Sequence, residues 1–355
     1  MKSFFRYFGG SVIFAVVCLG LAAWVGYSFG GTGQAIAAAV FTTLMLAVLE
    51  TSLSFDNAVV NAKVLGGMNQ FWRRMFLTVG MIIAVFGMRL VFPFIIVWVV
   101  GNQSFFQTVE MTWKDPHEFQ RILVEQHILV AGFGGAFLWM VFTKFFFDAE
   151  KEIHWIRIIE SKFTLVGRAD ALWVAVTMII TFIFYAFIPE GENAKFLMAA
   201  MLGVITYICV EGLSSFLEES EAKTVKGVTT AGFGMFMYLN VLDASFSFDG
   251  VIGAFAITDN LFIMTLGLGI GAMFVRSLTI KMVDAGTLSS YIYLEHGAFW
   301  AIGALSMIMY LSAIGVHVPE VVSGLIGVVF ISVSFVSSLR HRRKHPDGAA
   351  PATTE

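Results

Sequence analysis

Glu50-Thr51-Ser52-Leu53-Ser54-Phe55-Asp56-Asn57 returns in the second half of the chain as Asp243-Ala244-Ser245-Phe246-Ser247-Phe248-Asp249-Gly250. Both stretches read acid-x-Ser-x-Ser-Phe-Asp and close on a small or polar residue. Each lies inside a long apolar run, and such runs dominate the chain. Of 355 residues, 58% are hydrophobic and only 13% charged, against about 25% charged in an ordinary globular chain. Mean hydropathy is +0.81. No soluble fold of this length hides so much apolar surface. Runs of about twenty residues suit helices crossing a hydrocarbon core ~30 Å thick, and the dyad alternation of an outer-membrane barrel is missing. The expected fold is all-α, a polytopic membrane helix bundle.

Charged, proline and glycine breaks divide the chain into about ten spans, near 10–29, 34–63, 75–100, 127–147, 169–188, 195–217, 228–258, 260–281, 297–316 and 321–339. The first is long for a signal-peptide core and lacks a clean cleavage site, so it reads as a span. Residues 1–339 then form one transmembrane domain, with a charged cytoplasmic connector at 148–168 and a solvated tail at 340–355. With both termini cytoplasmic, sixteen Lys and Arg fall inside and three, Lys114, Arg121 and Lys195, fall outside. That is the bias of the positive-inside rule at a cytoplasmic membrane. A net charge of −3 offers no basic face to nucleic acid; the partner is the lipid bilayer, and a homo-oligomer stays open. Cys18 and Cys209 sit in apolar runs and form neither a disulfide framework nor a thiolate metal site.

The repeat extends beyond the motif. About thirty residues after each copy comes an intramembrane arginine, Arg89 and then Arg276. At the start of the following span an acid stands near a histidine, Glu125 with His127 and Glu295 with His296. Spans two to four (about 34–147) thus return as spans seven to nine (about 228–316). The offset of five spans is odd, so the two halves face opposite ways. Inverted repeats of this kind build many secondary transporters, with the site at the repeat interface.

A charge at the bilayer centre costs about 2.5–3.5 kcal/mol even on the lenient insertion scale, so Glu50, Asp56, Asp243 and Asp249 must face a polar interior, an ion or one another. Six residues turn a regular helix by about 600°, which leaves the two acids of a motif some 120° apart. If both line one site, the helix unwinds around Ser52–Asp56 and Ser245–Gly250. The donors on offer, from Glu50, Ser54, Asp56, Asn57, Asp243, Ser247 and Asp249, are all oxygens, which suit Mg²⁺, Ca²⁺ or Mn²⁺. The metal is then a substrate, with no permanently bound cofactor. Arg89 and Arg276 are the charge partners of the empty site, and Glu125, Glu295 and Glu211 are candidates for a gate or second site. Blander readings compete: acids paired to arginines as structural glue, serines that pack helices, and acids favoured at helix N-termini by the dipole. Without an ion such acids mostly protonate, which leaves a proton relay as a second role.

The Glu-x-x-Leu-x-x-Asp-Asn core from Glu50 to Asn57, with its second acidic copy and two intramembrane arginines, resembles the TerC family of bacterial integral membrane proteins, in its longer branch of about ten spans. The likeness covers spans two to nine. It implies metal-ion handling at the cytoplasmic membrane, manganese efflux above all, with Glu50, Asp56, Asn57, Asp243 and Asp249 as the family's acids and amides. Gly250 departs from the pattern by replacing the second asparagine. The leading expectation is a transporter of divalent cations and not an enzyme. A metal-handling or assembly partner for exported proteins is the alternative. An intramembrane hydrolase is disfavoured, because neither a HExxH nor a Gly-x-Ser-x-Gly motif is present.

Overall fold

The computed structural model describes residues 2–149, 151–166, 172–222, 231–255, 257–258, 260–316 and 318–344; the side chain of Asp249 lies outside that description. Every regular element among the described residues is a helix. In chain order they are α1 (Lys2–Gly30), α2 (Gly33–Leu53), α3 (Phe55–Gly67), α4 (Gln70–Val100), α5 (Phe105–Lys114), α6 (Pro116–Glu125), α7 (His127–Phe146), α8 (Arg157–Val166), α9 (Leu172–Tyr185), α10 (Asn193–Ala222), α11 (Ala231–Phe255), α12 (Leu261–Asp284), α13 (Thr287–Ser290), α14 (Leu294–Ala313) and α15 (Glu320–Lys344). Eight of these, α1, α2, α4, α7, α10, α12, α14 and α15, are long and apolar enough to cross a membrane. The shorter apolar α9 and the motif-bearing α11 pack with them in a polytopic helical bundle.

Local chemistry sets the boundaries. Gly31, at φ +61°, turns the chain out of α1, and Thr32 Oγ1 accepts the Ala35 N–H at 3.2 Å to start α2. Between α4 and α7, where the span count leaves only a connection, two short helices form. Ser104 and Gln107 close a capping box on α5, and Asp115 caps α6, whose first residue is Pro116.

Side-chain contacts sort the helix ends onto two faces. On one, Trp113 of α5 meets Phe29 at the end of α1 and Phe262 at the start of α12, and Gln120 of α6 donates to Phe255 O at the end of α11 (3.1 Å). On the other, Lys63 near the end of α3 pairs with Glu295 at the start of α14, and Tyr293 meets His341 near the end of α15. Ser11, early in α1, bonds Ser277, late in α12, so the start of α1 and the end of α15 lie toward this second face. The α2–α3 rod therefore runs opposite to α11, α4 opposite to α12, and α7 opposite to α14. The repeat is inverted.

Packing follows the same exchange. The α2–α3 rod packs on α12 and α14, while its counterpart α11 packs on α4 and α7. The pairs α4–α12, α7–α14 and α3–α11 close the two-fold pattern. Outside this six-span core the symmetry holds only in part: α1 packs on α2 as α10 does on α11, but α1 also leans on α12, whereas α10 leans on α7. Glycines allow the close approaches; Ser306 Oγ of α14, for example, donates to Gly135 O of α7 at 2.7 Å.

One expectation needs correction. The second motif does not unwind, because α11 is continuous through Ser245–Gly250. At the start of the tail α15 carries the exposed Arg340, Arg342 and Arg343 as far as Lys344; residues 345–355 lie outside the described ones.

Candidate functional site

The first motif breaks its helix at one residue. α2 ends at Leu53 and α3 begins at Phe55, with Ser54 between them at φ −93° and ψ 22°. The chain stays tightly wound across the break: Ser54 N–H donates to Glu50 O at 2.9 Å, and Ala58 N–H to Ser54 O at 3.3 Å. The restart puts Asp56 in the first turn of α3, where the helix dipole favours a carboxylate. Glu50, Asp56, Asn57 and Asn61 are all buried.

Glu50 is the hub. Its Oε1 accepts from Arg89 Nη2 in a fully buried ion pair and from Ser54 Oγ at 3.1 Å. Arg89 reaches it from a widened, π-type stretch of α4, Ile83–Val91, one of three such stretches in that helix. Turns of this kind re-aim side chains and recur at functional sites. Two glycines make room for the carboxylate. A Cβ on Gly271, midway along α12, would sit 2.5 Å from Glu50 Cβ, and one on Gly250 would sit 3.1 Å from Glu50 Oε2. Gly250 thus replaces the asparagine of the first motif at a position where Glu50 needs the space. Gly271→Ala is expected to cost about 1–3 kcal/mol by overpacking, read as a lower melting temperature in micelles; an unchanged melt would remove Gly271 from this contact.

Two cavities meet at Glu50, Ser54 and Asn57. One, of about 40 Å³, is lined also by Asn61, Arg89, Asp243 and Arg276. The other, of about 50 Å³, is lined also by Asp56, Gly250, Ser323 and Gly327. Each has room for a few water molecules. Asn57 Oδ1 and Asn61 Oδ1 are buried acceptors without a hydrogen-bond partner, an arrangement that invites an ion or water. Arg276 Nη1 lies 3.5 Å from Met81 Sδ, and its Nε has no partner.

Of the residues singled out in the sequence, the structure gathers Glu50, Ser54, Asp56, Asn57, Asp243, Arg89 and Arg276 around these two cavities. Ser247 is buried but lines neither cavity, and its hydroxyl has no partner. Asp249 falls outside the described side chains. Among the described residues no three His, Cys, Asp or Glu side chains converge as a ready-made metal cluster. The candidate gate residues stand apart. Glu125 pairs with Arg121 at 2.5 Å on the surface, Glu295 with Lys63 at 2.5 Å, and Glu211 with Lys144 at 2.9 Å. Asn61, one of the amide oxygens the sequence offers, also lines the first cavity, one turn beyond Asn57 on α3; the π-type turns of α4 leave no signal in the sequence.

A family model described as "Protein of unknown function (DUF475)" matches residues 55–345. The chain belongs to that family. The matched stretch takes in Asp56, Arg89, Asp243 and Arg276 and begins after Glu50. No curated protein and no solved structure matches the chain.

Proposed function

We propose that this member of a family of unknown function is a secondary transporter of divalent metal cations, with Mn²⁺ as the best-fitting substrate. One observation carries the reading: a buried helix breaks between two acids, at the seam of two antiparallel halves, with a small polar cavity on either side. The donors there, Glu50, Ser54, Asp56, Asn57 and Asp243, are all oxygens, the set preferred by hard and borderline cations. Asp249, six residues beyond Asp243 in the second motif, is proposed as a further ligand. Arg89 supplies the positive charge that Glu50 requires, and an arriving cation takes over that role, leaving Arg89 to Asp243 across the same cavity. The resemblance of the first motif to TerC proteins supports the choice of manganese.

The test is Mn²⁺ flux into liposomes holding only the purified chain. Flux without a partner protein supports transport; binding without flux points to a protein that hands metal on. The proposed location is a bacterial cytoplasmic membrane, with Lys63, the connector and α15's basic end inside. In a background with Cys18 and Cys209 replaced by alanine, Gln103→Cys should react with an impermeant thiol reagent from outside whole cells, and Ile158→Cys only after lysis. Labelling of both from one side would overturn this topology.

A further inference from the structure

The face of the bundle that holds Lys63 and Glu295 buries a second polar cluster, whose members line neither central cavity. There the connector after α7 folds back over the end of α7 and the start of α14. Glu160, in the first turn of α8, is fully buried. Its Oε2 accepts the Trp155 N–H at 2.8 Å, and its Oε1 accepts the Trp300 indole N–H at 3.0 Å. His296 Nε2 lies 2.8 Å from Ile153 O and 3.5 Å from Glu160 Oε2. Both neighbours are acceptors, so this nitrogen carries the proton. His154 Nδ1 is 4.0 Å from the same carboxylate.

Lys151 is the odd member of the cluster. Its Nζ lies 3.6 Å from the centre of the Phe145 ring and 4.3 Å from that of Phe146, and it is buried with no hydrogen-bond partner. Lys63 shares the Phe145 ring at 4.5 Å while pairing with Glu295. An ammonium buried without a hydrogen-bond acceptor is expensive to keep charged, and attraction to the ring faces, about 0.5–2 kcal/mol, offsets only part of that cost. We propose that residues 151–160 form an acid-released clamp, which locks α7 and α14 together while the Lys151 amine is neutral and lets go when it is protonated.

The charged groups around that amine are known from each packed element. Glu160 of α8, Glu295 of α14 and Asp148 of the connector favour its charge, and Lys63 of α3 opposes it. His296 of α14 also faces it. Burial outweighs the carboxylates and pushes Lys151 down to about 7 in the held state. In the released connector the amine returns to the ordinary lysine range, about 10.4. Between those values the released form binds one proton more. Release therefore becomes about tenfold more favourable for each unit that pH falls from about 10 to about 7, and levels off below.

Amide hydrogen exchange over residues 151–160, in the full chain in lipid nanodiscs, tests this at pH 7, 8 and 9 after correction for intrinsic rates. The protection factor of wild type should fall about tenfold per unit from pH 9 to pH 7. Lys151→Met should stay protected and flat over that range, and Lys151→Arg should be released throughout. A flat wild-type profile overturns the clamp, as does a Lys151→Met variant that keeps the slope or is as open as Lys151→Arg. Should neither variant fold, the wild-type slope decides alone: one proton supports the clamp, none refutes it. The readout does not depend on what the central cavities carry.

Discussion

Asp56→Asn is expected to lower divalent-cation flux by about a hundredfold or more while the chain still inserts and folds. Asp56 is buried, and its Oδ1 accepts the Asn57 backbone N–H at 3.0 Å. Its carboxylate lines the cavity that also touches Glu50 and Ser54, and its Oδ2 faces Gly327 of α15. Asparagine keeps the shape and the bond to Asn57 and loses only the charge. At a ligand's distance and an effective dielectric of about 20, one unit charge against a cation is worth several kcal/mol. That is the term which offsets the ion's lost hydration. Ser54→Ala should do less, since water can replace a neutral oxygen. Mn²⁺ flux in liposomes, with circular dichroism to verify folding, reads both. Wild-type flux through Asp56→Asn would place the cation path elsewhere.

The membrane bundle and its inverted repeat were legible in the sequence because both rest on patterns that lipid enforces. Apolar runs have to reach about twenty residues, and an acid inside such a run has to find a partner. Arg89 was legible for the same reason, since a lone guanidinium in a span needs a carboxylate and Glu50 is the one it meets. The equal treatment of the two motifs failed. Ser54 breaks α2–α3, yet Ser247 sits in an unbroken α11, because backbone continuity is decided by what packs across the helix and not by the motif itself. Gly250 looked like a lost ligand, and only the neighbouring Glu50 Oε2 explains it. Glu125 and Glu295 occupy matching places in the repeat but differ in role: one pairs within its own helix α6, while the other ties α3 to α14. The buried Glu160 sits in a stretch whose charges read as a cytoplasmic connector. Nothing local to Glu160 announces Trp300, which lies far along the chain and reaches it only in the folded bundle.

Arg89→Ala is expected to cost about 3–5 kcal/mol of stability, the penalty for leaving a buried carboxylate without its partner. Arg89 and Glu50 are both almost fully shielded, at 3% exposure each. The cavity beside them is small, about 40 Å³, so water can solvate the orphaned Glu50 only in part. Arg89→Lys should cost less, because the ammonium restores the charge but cannot reach Ala84 O and Glu50 together as the guanidinium does. Two readings of the pair then separate in a double-mutant cycle. If Arg89 serves only to neutralise Glu50, Arg89→Ala with Glu50→Gln should recover most of the stability, because neither partner is left charged. If Arg89 also braces the π-type stretch of α4 through Ala84 O, a residual loss of about 1–2 kcal/mol should survive in the double variant, the worth of a hydrogen bond from a charged donor. Transport sharpens the distinction further. A double variant that melts like wild type yet carries no Mn²⁺ would show the pair to be part of the cation's path as well as of the fold. One that melts and transports like wild type would reduce the pair to an internal brace, and would move the cation site wholly to Asp56 and the second cavity.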